Sequence, residues 1–221
     1  PSTVHRILQT FCEKKYVIRD DRSHTYRLGP ALIPLGKAAA RGIRLQDAAH
    51  GILAQLAKQT KEDAYLVIPV GNKGLVMEKV YRPSHLKCVE ECGYEMYMHC
   101  GAIRKVLLAW QTPAFIDEYF KNIILHDQAF PHVRPDDLRE ELKKIRQDGY
   151  AITRGEYVTD ALGIGAPVFN SDGELAGSIG IIAPEIRVDT PEFLDTQKDL
   201  VQFYASSLSA DLGYEKHDVF Q

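Results

Sequence analysis

Two apolar runs joined by a tight turn set the strongest limit on how this chain can fold. Leu162-Gly-Ile-Gly-Ala-Pro-Val-Phe169 reads as one strand and Leu175-Ala-Gly-Ser-Ile-Gly-Ile-Ile182 as the next, with Asn170-Ser-Asp-Gly173 between them. A shorter run, Tyr150-Ala-Ile-Thr-Arg154, comes just before. A second hairpin stands upstream, with strands Asp63–Val70 and Leu75–Tyr81 and the turn Gly71-Asn-Lys-Gly74. Helical patterns surround these strands. Leu45, Ala49, Ile52, Leu53 and Leu56 form one stripe of a helix ending at Thr60. Further helices are expected over His99–Trp110, Pro113–Lys121 and Asp136–Asp148, the last closed by Gly149 at a natural C′ position. Thr190 and Pro191 start a closing helix that runs to about Leu212. This order predicts an α+β fold layered around an antiparallel sheet.

The 221 residues are long enough to bury a true core without disulfide or metal staples. Charge is unevenly spread. Residues 1–46 hold nine Lys/Arg against Glu13, Asp20 and Asp21, a net +6, while the whole chain is −3, which leaves −9 for residues 47–221. A basic head on an acidic body places nucleic acid at the head. No apolar run approaches the roughly 20 residues needed to span a bilayer, and no signal peptide is visible. Four cysteines without a regular framework fit a reducing compartment, so the cytoplasm is expected.

The head begins with a helical pattern in which Val4, Ile7, Leu8 and Phe11 share a face expected to be buried. The opposite face carries Ser2, Thr3, His5, Arg6 and Gln9, short hydroxyls that reach phosphates beside longer groups that reach base edges. An ordinary amphipathic surface helix shows the same pattern, and the neighbouring segment of the chain decides between them. Tyr16-Val-Ile-Arg19 and Thr25-Tyr-Arg-Leu28 are β-rich runs around Asp20-Asp-Arg-Ser-His24. Helix followed by hairpin is the winged form of helix-turn-helix, with Arg22, His24 and Arg27 placed to touch the DNA backbone or minor groove.

The segment Ser2-Thr-Val-His-Arg6 through Tyr26-Arg-Leu-Gly29 resembles the DNA-binding half of IclR-type transcriptional regulators, which show a Ser-Thr-x-x-Arg helix and a Tyr-x-Leu-Gly ending. His99-Cys-Gly-Ala-Ile-Arg-Lys-Val-Leu-Leu-Ala109 resembles that family's His-x-x-Ala-x-Gly-Lys-x-Leu-Leu-Ala helix, and Gly149 to Val168 its hallmark segment. The resemblance covers nearly the whole chain. It implies a partial winged helix-turn-helix over residues 1–28, a linker helix over 29–46 and a GAF-like effector-binding domain over 47–215. It also implies that the scaffold helices which normally precede the recognition helix are missing. The linker is expected as a short Ala-rich helix, Pro34–Arg41, broken at Gly42.

Carried over from the resemblance, the effector pocket falls on Met96, Ala102, Ile103, Thr153, Gly163, Gly180 and Ile182. Family members often have Asp at position 153, Cys at 163 and Ser at 180 and 182. Here the pocket has lost polar groups and gained room, which suits a ligand with an apolar or aromatic body. His99 and Arg104 are candidates to hold a carboxylate, against the alternatives of a satisfied core histidine and a solvent-facing helix charge. Gly163, Gly165, Gly177 and Gly180 are equally explained by tight strand packing.

Cys88, Cys92, His99 and Cys100 lie within thirteen residues, a density compatible with zinc or a redox thiol pair, yet without a CxxC…CxxC arrangement. No metal or cofactor is therefore expected, and these four are kept only as candidates. Asp136, Asp137, Glu140 and Glu141 read as a solvated helix face. No phosphate loop, nucleophile elbow or HExxH motif supports catalysis. The expected function is a ligand-responsive transcription regulator, binding an operator as a homodimer or dimer of dimers and sensing a carboxylate or aromatic acid. The alternatives are metal or redox sensing through Cys88, Cys92 and Cys100, and a GAF-like cysteine-based enzyme.

Overall fold

The computed structural model describes residues 2–20, 23, 25–81, 91–126, 133–156, 158–187 and 190–215, with the backbone alone for Ser2 and residues 36–44. The chain divides into two compact units, Pro1–Leu45 and Gln46–Gln221. The first holds α1 (Ser2–Glu13) and a two-stranded antiparallel sheet of β1 (Val17–Arg19) and β2 (Tyr26–Leu28). Gly29 closes this hairpin against α1. Its amide donates to Tyr16 O at 2.8 Å, and a Cβ there would sit 2.1 Å from Lys15 O, so only glycine fits.

The apolar face expected to be buried on α1 is not. Val4, Ile7 and Phe11 are 62%, 50% and 44% exposed, and of the four only Leu8 is half-buried. Two three-residue strands and the start of the next helix offer too little apolar surface to cover it. Phe11 meets the Tyr16 ring edge-on at 6.2 Å.

α2 runs Leu32–Thr60 as one helix, so the break expected at Gly42 is absent. Glycine inside a helix costs only about 1 kcal/mol relative to alanine, and flanking Ala and Leu residues outweigh it.

The second unit is a six-stranded antiparallel sheet made of β3 (Asp63–Val70), β4 (Lys73–Val80), β5 (Glu95–Tyr97), β6 (Ala151–Arg154), β7 (Ala161–Phe169) and β8 (Leu175–Pro184). Its order is β5-β4-β3-β8-β7-β6, so the two hairpins foreseen in sequence join through β3 and β8. β5 lies in a stretch read as loop, because three residues show no alternation.

Helices α3 (Ala102–Ala109), α4 (Pro113–Asn122) and α5 (Pro135–Asp148) share a core with alternate sheet residues such as Tyr65, Val67 and Val76. The intervening residues Leu66, Leu162, Ile164, Val168, Ile179 and Ile181 are fully buried on the other face, where α6 (Pro191–Asp211) packs on β7 and β8. Burying each such side chain is worth roughly 1.5–3 kcal/mol. Thr190 caps α6 by accepting from Phe193 N, and Gly149 ends α5 at φ 77°, both as their residue types imply.

Candidate functional site

Three lateral rows of cross-strand neighbours organise the α3 face of the sheet. The first is Thr153–Gly163–Ile182–Asp63, the second Ala151–Gly165–Gly180–Tyr65–Lys79, the third Pro167–Ser178–Val67–Val76. The start of α3 lies directly on the second and third. A Cβ at Gly165 would stand 2.6 Å from Ile103 Cα, and one at Gly180 2.6 Å from Ile103 Cγ1 and 2.0 Å from Ile164 O. Ser178 Oγ donates to Ile103 O at 2.7 Å, fixing the contact. The first row therefore extends past the N-terminus of α3 and floors a cleft.

That cleft, about 360 Å³ and open to solvent, is lined by Gly101, Ala102, Ile103, Arg104, Thr153, Glu156, Val158, Ala161, Gly163 and Ile182. Gly101, the residue before α3, has φ 78° and no side chain to cap the helix. Thr153, 51 residues away in sequence, does so instead, its Oγ1 accepting the Ala102 amide at 3.0 Å. Arg104 is 3% exposed, with Nε donating to Gly74 O at 3.4 Å and its guanidinium over the Tyr94 ring at 5.8 Å. The alternative of a solvent-facing Arg104 is excluded. A Cβ added at Gly163 would press on Thr153 Oγ1 at 3.1 Å, a tight contact, whereas one at Gly180 would clash outright, as at a packing glycine.

The structure thus gathers Ala102, Ile103, Arg104, Thr153, Gly163 and Ile182 and leaves three candidates elsewhere, Gly180 under α3 being one. Met96 is half-buried on β5, paired with Gly74. His99 is buried beside Tyr119, with Nδ1 2.9 Å from the Tyr119 hydroxyl and its ring stacked on Tyr97 at 5.8 Å. It lines a second cleft of about 480 Å³ with Cys100, Lys105, Asp137, Leu138, Glu141 and Glu156.

Lys105 is 3% exposed and meets two carboxylates, donating from Nζ to Glu141 at 2.7–2.8 Å and to Glu156 at 2.8 Å. Glu141 is therefore not part of a purely solvated face. A buried ammonium must be paired, and α5 supplies the charge. Sequence reading missed Gly101, Glu156, Val158 and Ala161. Their only signal was position, in the segments flanking α3 and joining β6 to β7.

The cysteines separate. Cys88 lies outside the described residues, Cys92 is exposed and Cys100 is buried. Although the residue is exposed, partial desolvation of its sulfur, followed by the Glu78 carboxylate, pushes the Cys92 thiol up, away from the thiolate that metal binding and redox chemistry use. Among the described residues, no group of three His, Cys, Asp or Glu side chains is placed to hold a metal. In the head, Thr3, His5, Arg6 and Gln9 are exposed on α1 and Arg27 is exposed on β2, while Gln9 Nε2 reaches Glu13 at 3.4 Å. The side chain of Ser2, and Arg22 and His24, lie outside the described residues.

Residues 37–210 match the family described as bacterial transcriptional regulator IclR C-terminal. The chain belongs to the IclR family. Among IclR relatives, the HTH-type transcriptional regulator XynR of Escherichia coli is 26% identical over 219 residues, spanning 96% of this chain and 84% of that protein. The regulator BhcR of Paracoccus denitrificans is 28% identical over 219 residues, spanning 98% and 77%. The crystal structure of Thermotoga maritima IclR superposes with a TM-score of 0.72 at 27% identity, covering 96% of this chain and 86% of that one. An IclR regulator from a Silicibacter species, at 22% identity and a TM-score of 0.76 over 97% and 84%, shares the fold. Members of the family are transcriptional regulators rather than enzymes. Among the described residues no helix is long and apolar enough to cross a membrane.

Proposed function

We propose that this IclR chain is an operator-binding regulator whose cleft at the N-terminus of α3 receives a small organic acid. In this reading residues 1–28 form the winged head, 29–46 the linker and 47–215 the effector domain, acting in the cytoplasm. The observation that carries it is the cleft itself. Its floor is the row Thr153–Gly163–Ile182, its back wall the start of α3 with buried Arg104, and most of its lining is apolar. The positive end of α3 favours a carboxylate, whereas the Arg104 guanidinium is turned to Gly74 O and the Tyr94 ring, and the apolar lining favours a hydrocarbon or aromatic body. Glu156 opposes an anion, but Lys105 answers its charge.

In the head, exposed Thr3, His5, Arg6 and Gln9, together with Ser2, would enter the major groove, with Arg27 and Arg22 on the phosphates. Two heads reading successive grooves require a dimer, with half-sites about 34 Å apart or a multiple of that. The effector acts by binding one arrangement better than the other and shifting the population. No observation favours the metal or redox reading over this one.

A thermal-shift screen of the whole chain against small carboxylates, aromatic acids and sugar acids, with zinc and a chelator alongside, tests this. A ligand at a hundredfold excess over its Kd stabilises by roughly 2.7 kcal/mol, a clear rise in Tm. A hit that Gly163→Ala weakens places the acid in the cleft. A flat response to every acid, with a fall on chelation, overturns the proposal.

A further inference from the structure

The rim of the cleft is formed between β6 and β7, where Gly155, Glu156 and residues 158–160 are described. Its base is fixed, since Gly155 N donates to Ala161 O at 2.8 Å and Glu185 N to Asp160 O at 2.7 Å. Both ends turn through left-handed backbone, Gly155 at φ 61° and Asp160 at φ 59°. Glu156 and Val158 from this loop line the cleft. Among the described contacts, the loop's charged hold on the body is the ion pair from Glu156 to Lys105. Lys105 does not line the cleft. It stands behind Glu156, on the wall of the second cleft, so Glu156 is the partition between the two.

We infer that Lys105 is a positioning residue that latches this loop over the effector cleft, and that Glu141 makes the latch releasable. A buried ammonium that loses its only counter-charge is strongly destabilised, which would forbid opening. Lys105 has two counter-charges on different elements, Glu141 on α5 and Glu156 on the loop, each within 2.8 Å. When Glu156 swings out, Glu141 still neutralises Lys105. Glu156 itself, with a side chain already 35% exposed, moves into water with little loss. One carboxylate holds the ammonium in the core, and the other holds the door. The effector's entry and exit are thus controlled by a charge pair that the effector need not touch. The access role rests on the reading of the cleft as the effector site, whereas the latch itself does not.

Hydrogen–deuterium exchange of the full chain, read on peptides covering residues 154–161 and on α5, tests the latch without any effector. Glu156→Ala is expected to speed exchange in 154–161 by roughly three- to tenfold, the weight of a partly exposed charge-assisted hydrogen bond, and to leave α5 unchanged. Glu141→Ala is expected to do the reverse. The double variant Lys105→Met/Glu156→Ala exchanges in the loop as Glu156→Ala alone does, because one interaction has been removed twice. Loop exchange unchanged by Glu156→Ala, or raised equally by Glu141→Ala, overturns the latch.

Access is read separately by maleimide labelling of Ala161→Cys on the cleft wall, followed by mass spectrometry. Labelling accelerates when Glu156→Ala is added. A loosened loop with unchanged labelling overturns control of access. A failed effector screen would alter none of these readouts, so the two proposals fail independently.

Discussion

Thr153 caps a helix to which it is not joined: from the edge strand β6 its hydroxyl accepts the amide of Ala102, the first residue of α3, at 3.0 Å. The residue preceding α3 is a glycine without a side chain, so this amide's acceptor has to come from elsewhere in the fold. The contact joins the cleft floor to the helix that walls it.

Thr153→Val keeps the shape and removes the acceptor, leaving a buried N–H unsatisfied. The expected loss is about 1–3 kcal/mol, or roughly 2–4 °C of Tm per kcal/mol for a chain of this size. Thr153→Ser restores most of it. Scanning calorimetry of the pair decides. A valine variant as stable as wild type would show that the hydroxyl does not cap α3.

Three glycines of one face should respond differently to the same methyl group. Gly165→Ala and Gly180→Ala place it 2.6 Å from Ile103 Cα and 2.0 Å from Ile164 O, both backbone atoms of packed elements. Each should cost at least the roughly 1–3 kcal/mol of core overpacking in urea unfolding. Gly163→Ala meets Thr153 Oγ1, the α3 cap, at 3.1 Å and Ala102 Cβ at 3.4 Å, so its stability cost should be smaller than theirs while the cleft narrows. Equal losses at all three positions would mean that Gly163 too is a packing glycine.

The Cys92 thiol is pushed up from its ordinary 9.0 by partial desolvation of its sulfur and then by Glu78. A raised thiol pKa leaves less thiolate at any given pH, so Cys92 should alkylate more slowly at pH 8 than a free thiol. Glu78→Gln removes one cause and should accelerate the reaction. Iodoacetamide kinetics followed peptide by peptide give the answer. A Cys92 faster than free thiol would revive the redox reading.

If Arg27 meets a phosphate and Arg6 a base edge, Arg27→Ala should flatten the dependence of log K on log salt by about 1 with little change in sequence preference, and Arg6→Ala should relax that preference. Fluorescence anisotropy on operator and scrambled duplexes at several salt concentrations reads both quantities. For Arg27→Ala, a loss confined to the operator would instead assign the side chain to a base edge.

Much of the fold was legible because it is local. The turn Asn170–Gly173 works as its residues suggest, with Asn170 Oδ1 accepting from Asp172 and Glu174 amides. Gly149 and Thr190 end and begin their helices through contacts within three or four residues. What escaped the sequence is non-local. Lys105 finds Glu141 and Glu156 at separations of 36 and 51 residues, and no helical or strand period links them. Gly163 and Gly180 read alike in sequence, since what distinguishes them is how closely α3 and the neighbouring strand approach each. His99 looked like a pocket residue because its motif position is right, yet Tyr119, twenty residues on, holds it in the neighbouring cleft.

The sheet is long in its middle and short at its margins. β7 and β8 span Ala161–Phe169 and Leu175–Pro184, whereas the border strands β5 and β6 have three and four residues. Each border also carries charge, Lys73 with Glu95 at one side and Arg154 with Glu185 at the other. Among the described residues, each border strand offers few open amide and carbonyl groups, ringed by ions, to an incoming extended chain. At these two strands the sheet is therefore guarded against fibril-like growth by strand addition, even though its central strands are apolar enough to drive it.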